Sequence, residues 1–279
     1  YVVGRWLLPD RDSMADMLSD RSRMKFFTEA VIPPESNLVG RDVLSVQLFK
    51  REGVRLIDVV ARDRGAEIYR NTAVTAITRS DDGLWIVSTD KGDITCDHVV
   101  SATGNFARKT GEMVGLNIPV IPVEHQYIVT EAHPDIQARH RDGKPEMGVL
   151  RDSEGQWYMR EEAGGLILGP YEKGAPVCYL DGPSDDSEYE LFQEDLERLE
   201  PHIESAMNRV PAFGESGVKR VYNGAIAYTP DGNPIVGPAW DLPNFWLNEG
   251  HSFGITAAGG AGWQLAEWIV EGEPTIDML

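Results

Sequence analysis

One segment near the end of the chain joins a short apolar strand to an apolar helix through small residues: Asn248-Glu249-Gly250-His251-Ser252-Phe253-Gly254-Ile255-Thr256-Ala257-Ala258-Gly259-Gly260-Ala261-Gly262. Small residues allow backbone N–H groups to approach a ligand closely, and the N-terminus of a helix favours a partly negative atom. A phosphate or an electron-rich ring carbonyl would suit such a site. The alternative is that the small residues serve only to pack the helix tightly against a sheet. The glycine spacing differs from GxGxxG, so the segment is not a dinucleotide fingerprint by itself.

A second apolar run, His98-Val99-Val100-Ser101-Ala102, ends in Thr103-Gly104. It predicts a short strand that is buried on both faces, as the strands of parallel sheets are. Ligands collect beyond the carboxyl ends of strands in open α/β sheets, so Ala102, Thr103 and Gly104 are candidate ligand contacts. Together with the glycine-rich segment, this run favours an α/β domain.

A third segment, Thr229–Pro238, is dense in proline and glycine, which predicts a fixed turn that leads into a short strand. Asp231 within it could hold the hydroxyl group of a ligand. The simpler interpretation is that Asp231 and Gly232 form an ordinary Asp-Gly turn.

The remaining elements are predicted from hydrophobic periodicity and turn residues. Helices are expected over Ser13–Phe27 and Arg41–Arg64, and strands over Glu67–Tyr69, Ala73–Arg79, Leu84–Thr89 and Ile94–Cys96. Residues 117–180 instead predict a mainly antiparallel sheet, with apolar stretches at Ile118–Pro122, Gln126–Thr130, Gly148–Arg151, Gln156–Arg160 and Leu166–Leu168. An amphipathic helix over Glu188–Leu199 is expected to end before Pro201.

The chain has 279 residues, with 26 Lys and Arg against 45 Asp and Glu, which gives a net charge of −19. This length suits one large domain or two interleaved ones. The acidity argues against nucleic acid and anionic membranes as partners, because both are bound by clustered basic residues. The two cysteines, Cys96 and Cys178, form no CxxC pair. There is no apolar run of membrane-spanning length and no signal peptide, so we expect a cytoplasmic location.

Two residues of the middle region are candidates for chemistry. His125 lies where the two kinds of unit meet, at a place where clefts form, although a lone histidine more often has a structural or surface role. Tyr158 alternates with its neighbours along a strand, so its side chain could face a cleft or the core. The chain contains no GxSxG elbow, no HExxH motif and no P-loop, which argues against hydrolase, zinc-protease and NTPase functions. No metal site is expected.

Taken together, the ordered motifs resemble the FAD-dependent amine oxidoreductases of the D-amino-acid oxidase superfamily, in particular the dimethylglycine and sarcosine dehydrogenases. Besides the segments above, the resemblance rests on motifs at Arg64–Tyr69, Asn71–Val74, Ser101–Asn105, Val123–Glu131, Tyr158–Glu161, Leu168–Glu172 and Ala266–Val270. It runs from about residue 38 to residue 279. The resemblance implies a mixed α/β fold in which an FAD-binding Rossmann-like domain (38–116 and 219–279) is interleaved with a substrate domain built on an antiparallel sheet (1–37 and 117–218).

The resemblance also implies roles for individual residues. The position matching Val74 contacts the adenine of FAD through its backbone, and the Ala102–Gly104 turn lies along the cofactor. The residues of the glycine-rich loop would face the pyrimidine edge of the flavin: Gly250, His251, Ser252, Phe253, Gly254, Ile255 and Thr256. A helix N-terminus at that edge stabilises negative charge on a reduced flavin. His125 and Tyr158 match positions of the amine pocket, where they would orient the amine and tune its protonation.

One departure from the family pattern is that the chain lacks the first strand, the GxGxxG loop and the acidic residue that binds the ribose. The FAD-binding domain is therefore expected to be incomplete, without its first βαβ unit, and FAD binding by this chain is expected to be weak or absent. Such a chain would expose a sheet edge and an apolar seam, which a second copy could cover.

The main functional hypothesis is an FAD-dependent oxidoreductase that oxidises an N-methyl amine by hydride transfer to the flavin. The imine product would hydrolyse to the demethylated amine and formaldehyde, and the electrons would pass to oxygen or to a carrier. The alternative hypothesis is a flavin-free, non-catalytic remnant or binding module of the same family, which the missing fingerprint favours. A nicotinamide-linked dehydrogenase has less support because it needs a fingerprint that is also absent.

Overall fold

The computed structural model describes residues 66–187 and 190–278. The helices predicted over Ser13–Phe27 and Arg41–Arg64 lie outside these residues. The chain divides into two compact units, of which the larger comprises Val74–Ala257. Every residue singled out above as a candidate ligand contact belongs to this larger unit. Within the described part of the chain, no helix is both long enough and apolar enough to cross a membrane.

The strands are β1 (Val74–Arg79), β2 (Trp85–Thr89), β3 (Gly92–Cys96), β4 (Val99–Ser101), β5 (Ile121–Thr130), β6 (Leu150–Asp152), β7 (Trp157–Glu162), β8 (Gly165–Pro170), β9 (Val218–Tyr228), β10 (Ile235–Pro238) and β11 (Phe245–Glu249). The helices are α1 (Ala107–Glu112), α2 (Pro134–Arg141), α3 (Leu196–Arg209), α4 (Pro211–Gly214) and α5 (Gly254–Glu271), and a short 3₁₀ turn (Gly104–Phe106) precedes α1. The strands predicted between Ala73 and Cys96 are confirmed. The strand predicted over Glu67–Tyr69 is wrong, because these residues have no regular structure.

Two three-stranded sheets flank one hydrophobic core. Strands β1, β2 and β3 form an antiparallel sheet, and the second sheet has the order β10-β11-β4. Its strands β4 and β11 are parallel, with Val99 opposite Phe245 and Ser101 opposite Leu247. The core beside them contains Trp85 and Phe245, whose rings lie 5.3 Å apart in an edge-on arrangement.

The prediction that residues 98–102 form a parallel strand is therefore confirmed. The prediction that this strand is buried on both faces is wrong, because Val100 is 44% exposed. Side chains alternate along a strand, so Val100 points to the face opposite the buried Ser101, and on that face it stays exposed.

The region 117–180 contributes four strands to a five-stranded antiparallel sheet with the order β6-β7-β8-β5-β9, as the sequence predicted. The stretches Ile118–Pro122 and Gln126–Thr130, predicted as separate, lie largely within the single strand β5, which pairs with β9 along its length. One face of the sheet packs on α3 around a second core that includes Trp157, Met159 and Leu199. The opposite face, which we call the outer face, carries His125 of β5 and Tyr158 of β7.

The helix predicted over Glu188–Leu199 begins later and continues further than expected. The side chain of Asp195 caps helix α3 by accepting a hydrogen bond from the Arg198 N–H at 3.1 Å, and residues 190–195 before it are not helical. Pro201 lies inside the helix instead of ending it. Proline costs one backbone hydrogen bond there, and the buried residues Leu199, His202 and Ala206 compensate by anchoring the helix against the sheet.

Candidate functional site

A buried carboxylate lies at the carboxyl edge of the parallel pair β4 and β11. It belongs to Glu249, the last residue of β11, which is 1% exposed. Its Oε1 accepts hydrogen bonds from the Ser101 hydroxyl at 2.7 Å and from the Thr103 N–H and hydroxyl, both at 2.9 Å. Its Oε2 accepts a hydrogen bond from the Gly104 N–H at 3.0 Å. The turn after β4 is thus tied to the strand that leads into the glycine-rich segment.

The backbone of this turn is shaped to bind an anion. Thr103 has a φ of −101° and Gly104 a φ of +59°, an alternation that points successive N–H groups to one side. Glu249 is the anion that these N–H groups bind. A cofactor lying along the turn would therefore meet its side chains and carbonyl groups, because its N–H groups already have a partner.

Gly250 connects β11 to the glycine-rich loop and packs against the turn that contains Asp231. Gly250 has a φ of +72°, and a Cβ atom there would lie only 2.5 Å from the Thr229 methyl group. Thr229 donates to the Asn233 carbonyl at 2.6 Å, and its hydroxyl lies 3.1 Å from the Asp231 carboxylate. The Asn233 N–H also donates to Asp231 at 3.1 Å and holds the pKa of that carboxyl below its usual range.

Asp231 therefore acts within an Asp-Gly turn, the simpler of the two interpretations. Its predicted contact with a ligand hydroxyl remains a prediction. Val74 begins β1, pairs with Thr89 and is 42% exposed. Its predicted contact with the adenine likewise remains a prediction.

The loop between β11 and α5 offers polar atoms that the described protein does not use. The Nε2 atom of His251 lies 2.6 Å from the Asn248 side-chain oxygen, so it carries the proton and leaves Nδ1 as an acceptor. That Nδ1 atom, like Oδ1 of Asn105 after the β4 turn, is buried without a hydrogen-bond partner in the described residues. Burial lowers the pKa of His251, against the opposite effect of the Glu249 carboxylate.

His125 and Tyr158 are brought together by a third aromatic residue, Tyr171. The His125 and Tyr171 rings have centroids 5.8 Å apart, and the Tyr158 and Tyr171 rings 6.0 Å apart. Tyr171 also lies 6.0 Å from Phe253 of the glycine-rich loop. We call these four residues the amine cluster, after the role predicted from the sequence for His125 and Tyr158. Tyr171 therefore connects His125 and Tyr158 to Phe253 of the glycine-rich loop, although the loop is a separate motif in the sequence.

Two further observations define the amine cluster. The guanidinium carbon of Arg151 lies 5.3 Å from the centre of the Phe253 ring, which brings a positive charge to the cluster. Gly169 of β8 lies opposite Tyr158, and a Cβ atom at Gly169 would lie 2.1 Å from the Tyr158 ring. Tyr158 can therefore lie flat across β8 only because residue 169 is glycine.

A buried polar network lies beneath the amine cluster and holds its strands. Gln126, next to His125, donates to the Glu172 carboxylate through its backbone N–H at 3.0 Å and its side chain at 3.1 Å. Arg198 of α3 lies 3.3 Å from Glu172 and 2.9 Å from Glu124. The network therefore fixes β5 relative to the segment that carries Tyr171.

Burial sets the protonation of the two predicted catalytic residues. It lowers the pKa of His125 below its ordinary value, while the Glu172 carboxylate acts in the opposite direction. It raises the pKa of the Tyr158 phenol, and the neighbouring Tyr171 adds to this. At neutral pH the cluster therefore presents an uncharged imidazole and an uncharged phenol.

Sequence reasoning did not assign functional roles to Tyr171, Arg151, Glu249 or Glu172. Tyr171 and Glu172 belong to the Leu168–Glu172 motif, and Glu249 lies inside the glycine-rich segment, so local signals existed for three of the four. No local signal identified Arg151. Among residues 66–187 and 190–278, no group of three or more His, Cys, Asp or Glu side chains is placed to hold a metal ion.

Comparison with known proteins identifies the family. The family model of the DAO FAD dependent oxidoreductases matches residues 55–268. The mitochondrial dimethylglycine dehydrogenase of Mus musculus is 39% identical over 224 residues, which are 78% of this chain and 25% of that protein. The mitochondrial sarcosine dehydrogenase of Mus musculus is 37% identical over 221 residues, 77% of this chain and 23% of that protein.

A solved structure agrees with these matches. The crystal structure of L-proline dehydrogenase from P. horikoshii aligns with a TM-score of 0.62 and 25% identity, over 78% of this chain and 54% of that chain. The chain thus spans about a quarter of the length of the two dehydrogenase relatives. The predicted mixed α/β fold is confirmed, whereas the predicted domain boundaries remain predictions. The chain belongs to the DAO family of FAD dependent oxidoreductases.

Proposed function

We propose that this chain carries flavin-facing and amine-facing residues of an oxidoreductase that oxidises an N-methyl amine of the dimethylglycine or sarcosine type. The observation that carries the proposal is the amine cluster, in which Tyr171 joins His125 and Tyr158 to Phe253 of the glycine-rich loop. The names of the two dehydrogenase relatives support the class of substrate.

The residues present fit an FAD cofactor beside the glycine-rich loop. Two buried acceptors, Nδ1 of His251 and Oδ1 of Asn105, have no partner within the described residues and could receive hydrogen bonds from a bound group. Helix α5 begins at Gly254, which has no side chain to obstruct a ligand, so N–H groups at its N-terminus can approach an electron-rich ring edge. The bound flavin would supply the hydride acceptor.

The amine cluster would prepare the substrate for oxidation. A secondary or tertiary amine is protonated at neutral pH and cannot release a hydride from its methyl carbon until it loses that proton. His125, held uncharged by burial, would accept the proton from the amine nitrogen. Tyr158 would donate a hydrogen bond that orients the substrate. Loss of a hydride then leaves an iminium ion, which water converts to the demethylated amine and formaldehyde.

The test is a titration of the purified chain with FAD, followed by anaerobic addition of sarcosine or dimethylglycine. We expect weak FAD binding, so FAD is supplied in excess and the flavin absorbance is followed. Amine-dependent bleaching and formaldehyde release are the expected results. The matched variant is His125→Ala, which should lose bleaching by about a hundredfold or more, as loss of a general base typically does.

Two outcomes contradict the proposal. Equal bleaching by wild type and His125→Ala would remove His125 from the active site. Absence of any FAD binding, in a chain that is folded by circular dichroism, would favour the flavin-free binding module instead. Association with a second copy, the amine as natural partner and the cytoplasmic location remain predictions.

A further inference from the structure

A cavity of about 480 Å³ lies on the outer face of the five-stranded sheet, beyond the amine cluster. Its lining includes Tyr127 and Tyr222 and shares no residue with the amine cluster. Tyr127 lies two positions after His125 on β5, a distance of about 7 Å along a strand. The volume is in the range of small-molecule sites.

Aromatic rings form one wall of the cavity. Tyr127 and Tyr222 are directly opposite on β5 and β9, and their rings are stacked with centroids 4.9 Å apart. The Arg220 guanidinium carbon lies 4.6 Å from the centre of the Tyr222 ring. An arginine held over a ring still has N–H groups at its edge that can bind a carboxylate.

A β-bulge brings a second positive charge to the same cavity. Val129 pairs with Arg220 and Thr130 pairs with Val218, so Lys219 has no residue opposite it. In a regular strand, Lys219 and Arg220 would point to opposite faces. Here both line the cavity, as expected because a bulge redirects a side chain.

The cations at the bulge have no anionic partner in the described part of the chain, where neither Lys219 nor Arg220 forms an ion pair. By contrast, Arg160 at the other side of the cavity pairs with Glu162 at 2.6 Å. The charged residues of the lining are three cations and two carboxylates: Arg160, Lys219, Arg220, Glu131 and Glu162. The lining therefore has a net charge of +1, in a protein whose net charge is −19. A ring-bearing ligand with a single negative charge would match both the charge and the aromatic wall.

We propose that this cavity is a binding site for a small aromatic monocarboxylate, separate from the amine cluster and independent of the proposed oxidation. Its carboxylate would pair with Arg220 and Lys219, and its ring would lie against Tyr127 and Tyr222.

The experiment uses ¹⁹F NMR of 4-fluorobenzoate titrated with the whole purified chain at low salt. Saturable line broadening is expected, and neutral 4-fluorobenzyl alcohol should give none. Arg220→Gln and Lys219→Gln should each weaken binding about tenfold, the expected loss for one charge-assisted hydrogen bond. Arg141→Gln at the end of α2 removes the same charge from another surface and should leave the affinity unchanged.

Three results would overturn the proposal: no saturable binding by the wild type, equal weakening in Arg141→Gln, or binding that survives Arg220→Gln but is lost in His125→Ala. The last result would locate the probe in the amine cluster. None of these results depends on FAD, so they are distinct from failure of the proposed oxidation.

Discussion

Polar side chains at the carboxyl edge of β4 and β11 differ in their hydrogen bonding from those in the part of the outer face that carries the amine cluster. At the edge, the Glu249 carboxylate accepts four hydrogen bonds of 2.7–3.0 Å. On the outer face, the side chains of His125 and Tyr158 contact aromatic rings and form no hydrogen bond to another group of the described residues. The satisfied group holds the backbone in place, whereas the unsatisfied groups remain available to a ligand.

The outer face depends on a second set of satisfied groups behind it. The Glu172, Gln126 and Arg198 network lies beneath the amine cluster, and Glu249 directly precedes the glycine-rich loop. Each half of the site thus combines hydrogen-bonded polar groups with polar side-chain atoms that have no partner among the described residues.

Replacing Arg198 with methionine should have the largest effect. It leaves the Glu172 carboxylate, whose side chain is 2% exposed, without its cation, at a cost of about 3–5 kcal/mol. The matched control is Arg209→Met at the other end of α3, where the arginine side chain is 55% exposed and the cost should be below about 1 kcal/mol. Urea unfolding measures both. Equal losses in the free energy of unfolding would show that the buried network under the amine cluster contributes no more to stability than an exposed ion pair.

Replacing Glu249 with alanine should lower the free energy of unfolding by about 2 kcal/mol, because four donors lose their acceptor and part of this loss is repaid by water. Glu112→Ala, on the exposed side of α1, should change it by less than about 0.5 kcal/mol. Hydrogen exchange at Thr103 and Gly104 should quicken only in the first variant. Unchanged exchange there would contradict the role of Glu249 in holding the turn.

Replacing Gly169 with alanine should cost about 1–2 kcal/mol and displace Tyr158, because the new methyl group would overlap the tyrosine ring. Gly224→Ala, on strand β9 of the same sheet, is the control: its Cβ would meet its nearest neighbour, a Leu191 methyl, at an ordinary 3.7 Å. A crystal structure or the near-ultraviolet circular dichroism of the tyrosines separates the two. If Gly169→Ala matched Gly224→Ala, the close contact with Tyr158 would be wrong.

The smallest expected effect is on the pH dependence of the free energy of unfolding. Burial lowers the pKa of His125 in the folded protein below its ordinary value of 6.5, so the unfolded chain binds the proton first. The contribution of uncharged His125 to the free energy of unfolding is therefore complete above pH 6.5, and it is lost as the pH falls through the pKa of His125 in the folded protein. The pH dependence of unfolding should therefore be weaker in His125→Gln than in the wild type. A steeper dependence in the variant would contradict burial of an uncharged imidazole.

Local sequence patterns were sufficient to predict many of the strands. Alternation along β7 and turn residues between β1 and β3 predicted strands that the structure contains. The pattern failed at α3, where Pro201 predicted an end, because burial of Leu199 and Ala206 outweighs the local cost of a proline. Among the site residues, His125 and Tyr158 were predicted, but their common neighbour Tyr171 was not assigned a role.

The sequence by itself determined most of the strands and turns, since the period of apolar residues and the positions of glycine and proline are local properties. It did not predict helix α2 (Pro134–Arg141) within the region expected to form a mainly antiparallel sheet. It also determined the family. Only the tertiary structure decided that Glu249 would bind Ser101, Thr103 and Gly104, about 150 positions earlier, and that Tyr171 would bridge His125 and Phe253. These contacts form because burying both cores aligns strands that are distant along the chain, and local periodicity contains no information about which strands will meet.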